Sequence, residues 1–111
     1  MGMNRIGRIN EEIKKEVSAV IRELKDPRIG AMTSVIAVDV TKDMRWCKVF
    51  ISVMGDEKQQ KDALEGLKSA ASFVRRELGA RIDLRYTPEV IFELDRSIEH
   101  GAHINDILRG L

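Results

Sequence analysis

Residues 56–79 read DEKQQKDALEGLKSAASFVRRELG, a helical pattern interrupted at its centre by Ser69, Ala70, Ala71 and Ser72. Before the interruption Ala63, Leu64 and Leu67 form an apolar stripe, and after it Val74 and Leu78 do, at the three- and four-residue spacings of one helix face. Phe73 lies off this stripe: on a straight helix turning about 100° per residue its ring points roughly 110° from the stripe's centre, into water. A bend at the small residues brings it inward, so the pattern predicts two short helices joined by a kink. One continuous helix with an exposed Phe73 is the alternative. Gly66 and the two serines lower helix propensity, while Ala70 and Ala71 allow another backbone to approach closely. A second helix beginning at such a kink presents backbone N–H groups, a place for an anion such as phosphate.

The ends of this segment are marked as well. Asp56 is placed to cap the first helix, with Gln59 three residues on completing a capping box, and Gly79 is expected to close the second. Upstream, Val35 to Val40 is β-branched and apolar, Thr41 to Arg45 reads as a turn, and Trp46 to Val53 alternates in character, which predicts a β-hairpin. In its second strand Cys47, Val49, Ile51 and Val53 share the face expected to be core. Trp46, Lys48 and Phe50 share the other, open either to packing by another segment or to stacking of bases.

Farther upstream, Ile6, Ile9, Ile13, Val17, Val20, Ile21 and Leu24 fall on one face of a helix over residues 5–24. On its outward side Arg8, Lys15 and Arg22 recur every seven residues along about 21 Å of helix, with Glu12, Glu16 and Glu23 on one flank. The helix must stop near Lys25-Asp26-Pro27-Arg28-Ile29-Gly30, because proline disfavours helical conformation in the residue before it. Downstream, Ile82, Leu84 and Tyr86 alternate with charged residues in an extended connector. A third strand follows over Glu89 to Asp95 and a short C-terminal helix over Ser97 to Leu108. A hairpin plus a strand reached through a helical crossover makes an α+β fold, a three-stranded mixed sheet with helices packed on one face.

With 111 residues the chain is expected to form one domain over 1–111 with its own core. No apolar run reaches membrane-span length and no secretory signal is apparent, so no membrane association is expected and the cytoplasm is the expected location. The single cysteine, Cys47, excludes an internal disulfide framework and sits in an apolar run, as a core thiol would. Net charge is only +1, yet it is unevenly distributed: in residues 66–85 Lys68, Arg75, Arg76, Arg81 and Arg85 outnumber Glu77 and Asp83, whereas the following residues are acidic. One side of the molecule should attract anions.

Catalysis finds no support. His100 and His103 lie three apart, but no suitably spaced Cys or carboxylates complete a metal site, and no phosphate loop, nucleophile elbow or triad pattern is present. No cofactor is expected. A small-molecule-sensing or dimerisation module of the ferredoxin-like kind is a competing reading, although residues 1–10 offer no strand before the first helix.

Four features together carry a resemblance over essentially the whole chain: the Leu24-Lys25-Asp26-Pro27-Arg28-Ile29-Gly30 helix stop, the hairpin, the interrupted helix, and Tyr86-Thr87-Pro88-Glu89-Val90-Ile91-Phe92 leading into the last strand. With these the chain resembles the bacterial ribosome-binding factor A family. The resemblance implies a type II KH-like domain in which a helix-kink-helix with an Ala-x-Gly motif replaces the usual KH Gly-x-x-Gly loop. Aligned on Phe73 the motif falls on Ala70, Ala71 and Ser72, with Ser72 in place of glycine. It further implies a non-enzymatic assembly factor, a monomer when free, that binds the immature small ribosomal subunit and its rRNA precursor and assists late rRNA maturation, often with importance in the cold. The expected RNA-binding residues are Arg8, Lys15 and Arg22 on the first helix, Lys68, Ser69, Ala70, Ala71 and Ser72 at the kink, and Arg75, Arg76, Arg81 and Arg85 beyond it.

Overall fold

The computed structural model describes residues 5–30 and 33–95. The helix expected over 97–108, with His100 and His103, lies outside the described residues. Helix α1 (Arg5–Glu23) leads into the hairpin of β1 (Thr33–Val40) and β2 (Trp46–Val53), followed by α2 (Glu57–Ser69), α3 (Ala71–Arg81) and β3 (Glu89–Leu94). The sheet order is β1-β2-β3, with β1 and β2 antiparallel and β2 and β3 parallel, so the α2–α3 pair is the crossover that a parallel connection requires. Among the described residues α1 comes first and three strands are present, which leaves the four-stranded ferredoxin-like arrangement unmet. No described helix is long and apolar enough to cross a membrane.

The core lies between the sheet and the helices on one of its faces. Ile13, Val17, Val20 and Ile21 of α1 are buried, as the stripe predicts, against Cys47, Val49 and Ile51 of β2, Leu67 of α2, Val74 and Leu78 of α3, and Phe92 of β3. A bulge refines the first strand: Val35 pairs with Ile51 but Ala37 with Phe50, leaving Ile36 as an extra residue. An inserted residue reverses the inward-outward alternation of a strand. That is why Val35 faces the same side as Val38 and Val40 although it is an odd number of residues from each. Asn10 of α1 fixes the edge strand from above, its Oδ1 accepting the Val40 N–H at 3.0 Å.

The capping box forms as expected. Asp56 Oδ1 accepts the Gln59 N–H and Gln59 Oε1 accepts the Asp56 N–H, both at 2.8 Å, satisfying two groups the helix cannot satisfy itself. Gly55 adopts φ 144°, a conformation that favours glycine, and the Gln59 amide occupies the place its Cβ would take.

Two expectations about α2–α3 need correction. The break is real, falling at Ala70 with φ −91° and ψ 0°, but Phe73 is not drawn inward and stays 43% exposed. Only one residue separates the helices, and Leu67, Val74 and Leu78 are all fully buried; the stripe continues across the break, and Phe73, one position before Val74, is turned about 100° off the core. Nor does Gly79 end the second helix. α3 continues to Arg81 and the Ile82 N–H closes it onto the Leu78 carbonyl at 2.8 Å. Gly79 instead serves a close approach, since a Cβ there would lie 3.0 Å from Thr87 Oγ1.

Gly66 has a similar role on α2. A Cβ at this position would lie 2.9 Å from Ile29 Cγ1 and 3.3 Å from both Arg28 Cβ and Asp26 Oδ2. The loop that stops α1 therefore rests directly on the α2 backbone. That loop is braced internally: Asp26 Oδ1 accepts the Arg28 backbone N–H at 2.9 Å and Asp26 Oδ2 meets Arg28 Nη2 at 2.7 Å. These bonds from Arg28 hold the Asp26 carboxyl below the usual carboxylate range.

Candidate nucleic-acid interface

Arg75 and Arg76 of α3 project toward the connector that leads into β3. Arg75 Nε donates to the Thr87 carbonyl at 3.1 Å, tying the helix to that connector, and buried Pro88 anchors the chain just before the strand. Between helix and connector lies a groove of about 580 Å³ lined by Ser72, Arg75, Arg76, Gly79, Arg85, Tyr86 and Thr87. Three guanidinium groups and no carboxylate line it. The Arg85 guanidinium sits 5.8 Å from the centroid of the Tyr86 ring, over its face, a cation–π contact.

A second groove, about 610 Å³, shares Arg75, Tyr86 and Thr87 with the first and continues to Asp43, Met44, Arg45, Trp46 and Glu89. Its far wall is the β1–β2 turn. There Thr41 N–H donates to the Trp46 carbonyl at 3.0 Å, Met44 takes φ 63°, and Asp43 Oδ1 accepts the Thr41 hydroxyl at 2.7 Å and the Arg45 N–H at 3.1 Å. The Thr41 hydroxyl, followed by the Arg45 N–H, holds the Asp43 carboxyl below its ordinary value. The parallel register pairs Trp46 with Glu89, whose N–H donates to the Arg45 carbonyl at 2.9 Å. Trp46 is 43% and Tyr86 63% exposed.

The residues expected to bind RNA are thus divided. Ser72, Arg75, Arg76 and Arg85 meet in the groove. Lys68 and Ser69 are exposed at the end of α2, while Ala70 and Ala71 are half-buried against the core. Arg8, Lys15 and Arg22 are exposed along α1 but line neither groove. Arg81 is engaged elsewhere: its guanidinium lies 3.0 Å from Glu23 Oε2, 3.2 Å from Glu77 Oε1 and 3.8 Å from Glu16 Oε1. Glu23 foremost, and then Glu77, raise its already high pKa, and Arg81 bridges α1 to α3.

Arg45 and Tyr86, which no local sequence pattern marks, line the second groove, and Trp46 joins them there without Lys48 and Phe50. The outer face of the sheet holds Trp46, Lys48 and Phe50 as expected, but the cross-strand partners of Lys48, Phe50 and Trp46 include Asp39, Glu93 and Glu89. Three carboxylates against one lysine make that face a poor track for a phosphate backbone. Trp46, at its end, belongs to the groove instead.

Among the described residues no group of three or more His, Cys, Asp and Glu side chains is placed to hold a metal ion. Cys47 is fully buried, and burial, with a smaller effect from Asp39, pushes its thiol up to about 12, far from the range of a reactive thiolate.

Comparison with known proteins bears on the whole chain. Residues 5–108 match the sequence profile of the family described as ribosome-binding factor A. The chain is 62% identical over 109 residues to ribosome-binding factor A of Clostridium tetani, covering 97% of this chain and 90% of the relative. It is 58% identical over 107 residues to that of Acetivibrio thermocellus, covering 96% and 87%. Among solved structures, the solution structure of a putative ribosome binding factor A from Thermotoga maritima superposes with a TM-score of 0.74 at 29% identity, covering 83% of this chain and 91% of that one. A homology model of Thermus thermophilus ribosome binding factor A, as fitted into a cryo-EM map of a complex with the 30S subunit, matches with a TM-score of 0.66 at 26% identity, covering 78% of this chain and 91% of that one.

Proposed function

This chain belongs to the ribosome-binding factor A family, and we propose that it is a cytoplasmic assembly factor of the small ribosomal subunit that binds immature small-subunit rRNA and assists its late maturation. The family's members are non-catalytic, and no step in this role requires bond-making by the protein. The observation that carries the RNA-binding reading is the groove beside α3, where Arg75, Arg76 and Arg85 stand together with no carboxylate among the lining residues, in a chain whose net charge is only +1. Such local concentration of guanidinium groups fits a phosphate backbone. Lys68, Ser69 and Ser72 at the kink extend the surface, and Arg8, Lys15 and Arg22 on α1 supply a separate contact.

Co-sedimentation of the Arg75→Gln, Arg76→Gln, Arg85→Gln triple variant with small-subunit precursors over a salt series tests this. Each lost phosphate contact lowers the slope of log affinity against log salt by about 0.7 to 0.9, so the triple variant should lose about 2 to 3 from that slope while retaining its thermal unfolding transition. A slope equal to that of the unaltered protein would remove this groove from the interface.

A further inference from the structure

The two grooves beside α3 differ in chemistry and adjoin at Arg75, Tyr86 and Thr87, which line both. One carries three arginines and no carboxylate. The other has an apolar wall of Met44, Trp46 and Tyr86, two arginines, Arg45 and Arg75, and two carboxylates, Asp43 and Glu89. Asp43 is already engaged by the Thr41 hydroxyl and the Arg45 N–H. The Glu89 carboxylate is not held by a hydrogen bond or ion pair from any described residue, although its backbone N–H donates to the Arg45 carbonyl, and it sits beside Trp46 in the strand register. Its volume of about 610 Å³ lies within the range of roughly 300–1,000 Å³ usual for ligand pockets.

We propose that this composite groove receives one unpaired guanine of a single-stranded RNA segment, its base against Trp46 and Tyr86, its Watson–Crick edge on Glu89, and its flanking phosphates on Arg75, Arg76 and Arg85. This deepens the RNA-binding reading above and rests on it. Flat, exposed aromatic side chains are stacking platforms for unpaired bases, and the Arg85 guanidinium over Tyr86 supports that ring from one side. The carboxylate supplies the selectivity. It only accepts hydrogen bonds, and guanine alone among the four bases presents two adjacent donors, N1–H and the N2 amino group, on one edge. Adenine and cytosine set a ring-nitrogen acceptor beside their amino donor, and uracil flanks one donor with two carbonyls, so each places a lone pair against Glu89. The arginines hold the phosphates, which separates the positioning contacts from the base-reading one.

Trp46 is the sole tryptophan, so its fluorescence reports on this pocket directly. Titration of the full chain with the RNA pentamers UUGUU, UUAUU, UUCUU and UUUUU should quench Trp46 at about tenfold lower concentration for UUGUU, the discrimination expected of a paired hydrogen-bond contact. Glu89→Gln should reduce that preference to about twofold while leaving thermal unfolding unchanged, and Tyr86→Ala should weaken all four by about fivefold or more. Equal quenching by the four pentamers, or an undiminished preference for UUGUU in Glu89→Gln, overturns the proposal. GMP separates the free nucleotide from RNA: it should quench only at much higher concentration, and affinity equal to that of UUGUU would overturn the assignment to an RNA segment. Small-subunit co-sedimentation on the same preparations keeps the two readings apart. Flat pentamer selectivity with intact salt-sensitive subunit binding removes the guanine pocket alone, whereas a salt slope untouched by the arginine substitutions removes the functional reading beneath it.

Discussion

Substituting Gly66 by alanine sets two effects of similar size against each other. Within a helix, alanine is favoured over glycine by about 0.8 to 1.0 kcal/mol, and Gly66 lies inside α2. Against this, the added Cβ would lie 2.9 Å from Ile29 Cγ1 and 3.3 Å from both Arg28 Cβ and Asp26 Oδ2. Carbon atoms in contact prefer about 3.5 to 4.0 Å, so Ile29 must retreat by roughly 0.6 Å or more. It cannot do so alone: its N–H is bonded to the Asp26 carbonyl at 2.9 Å, the Asp26–Arg28 pair stiffens the same turn, and its side chain packs on the core. Overpacking of this kind costs about 1 to 3 kcal/mol. The repulsion wins, and Gly66→Ala should destabilise the fold by about 1 kcal/mol.

Gly79→Ala is the internal control, since it brings the same helix gain inside α3 but meets only the Thr87 side chain, with Oγ1 at 3.0 Å and Cβ and Cγ2 at an ordinary 3.8 Å, so that a shift of a few tenths of an ångström at one oxygen relieves it. It should be stabilising by about 0.5 kcal/mol. At about 4 °C per kcal/mol for a domain near this size, the two variants should differ in Tm by about 6 °C, with Gly66→Ala below the unaltered protein. Urea unfolding followed by circular dichroism checks the ordering, with an unchanged m-value showing that both unfold as the parent does. A Gly66→Ala protein at least as stable as the parent would refute the close approach of the 24–30 loop to α2.

The Cys47 thiol should be inert toward a disulfide reagent in the native protein and fully reactive once unfolded. Because its folded pKa, about 12, is above the ordinary 9.0, the unfolded chain loses its proton first as pH rises. Stability should therefore decline between those values, by at most about 1.4 kcal/mol per pH unit, and a Cys47→Ala variant lacking that decline would confirm the source by alkaline urea titration. For Arg81→Met, loss of the bridge among Glu16, Glu23 and Glu77 should lower Tm slightly in low salt, with the deficit vanishing near 1 M salt as screening shortens to about 3 Å. The salt slope of subunit binding should not change, and a reduced slope would place Arg81 in the RNA interface after all.

What was legible in the chain is what neighbouring residues decide. The α1 stripe, the hairpin turn, the bounds of β2, the Asp56–Gln59 cap and the break at Ala70 each follow from side chains a few positions apart, where propensity, periodicity and capping act. Phe73 does not drive the break: the requirement that Val74 and Leu78 stay in the core holds its ring outside. The glycines follow the same logic: Gly66 reads as a weak point in a helix and Gly79 as a helix end, whereas each makes room for a segment distant in sequence or beyond the helix end.

The sequence by itself determined the α+β class, the element order, the kink position and the family, because these are written in local patterns and in residue identities along the chain. Only the tertiary structure decided which charges and aromatic rings form a surface. The parallel register of β2 and β3 sets Trp46 beside Glu89, the Arg75–Thr87 bond draws α3 to the connector carrying Arg85 and Tyr86, and three carboxylates from α1 and α3 withdraw Arg81 from it. Electrostatic and stacking interactions act between atoms a few ångströms apart in space. Residues some forty positions apart acquire that proximity only when the backbone hydrogen bonds of the sheet and the packing of α3 on it are both in place.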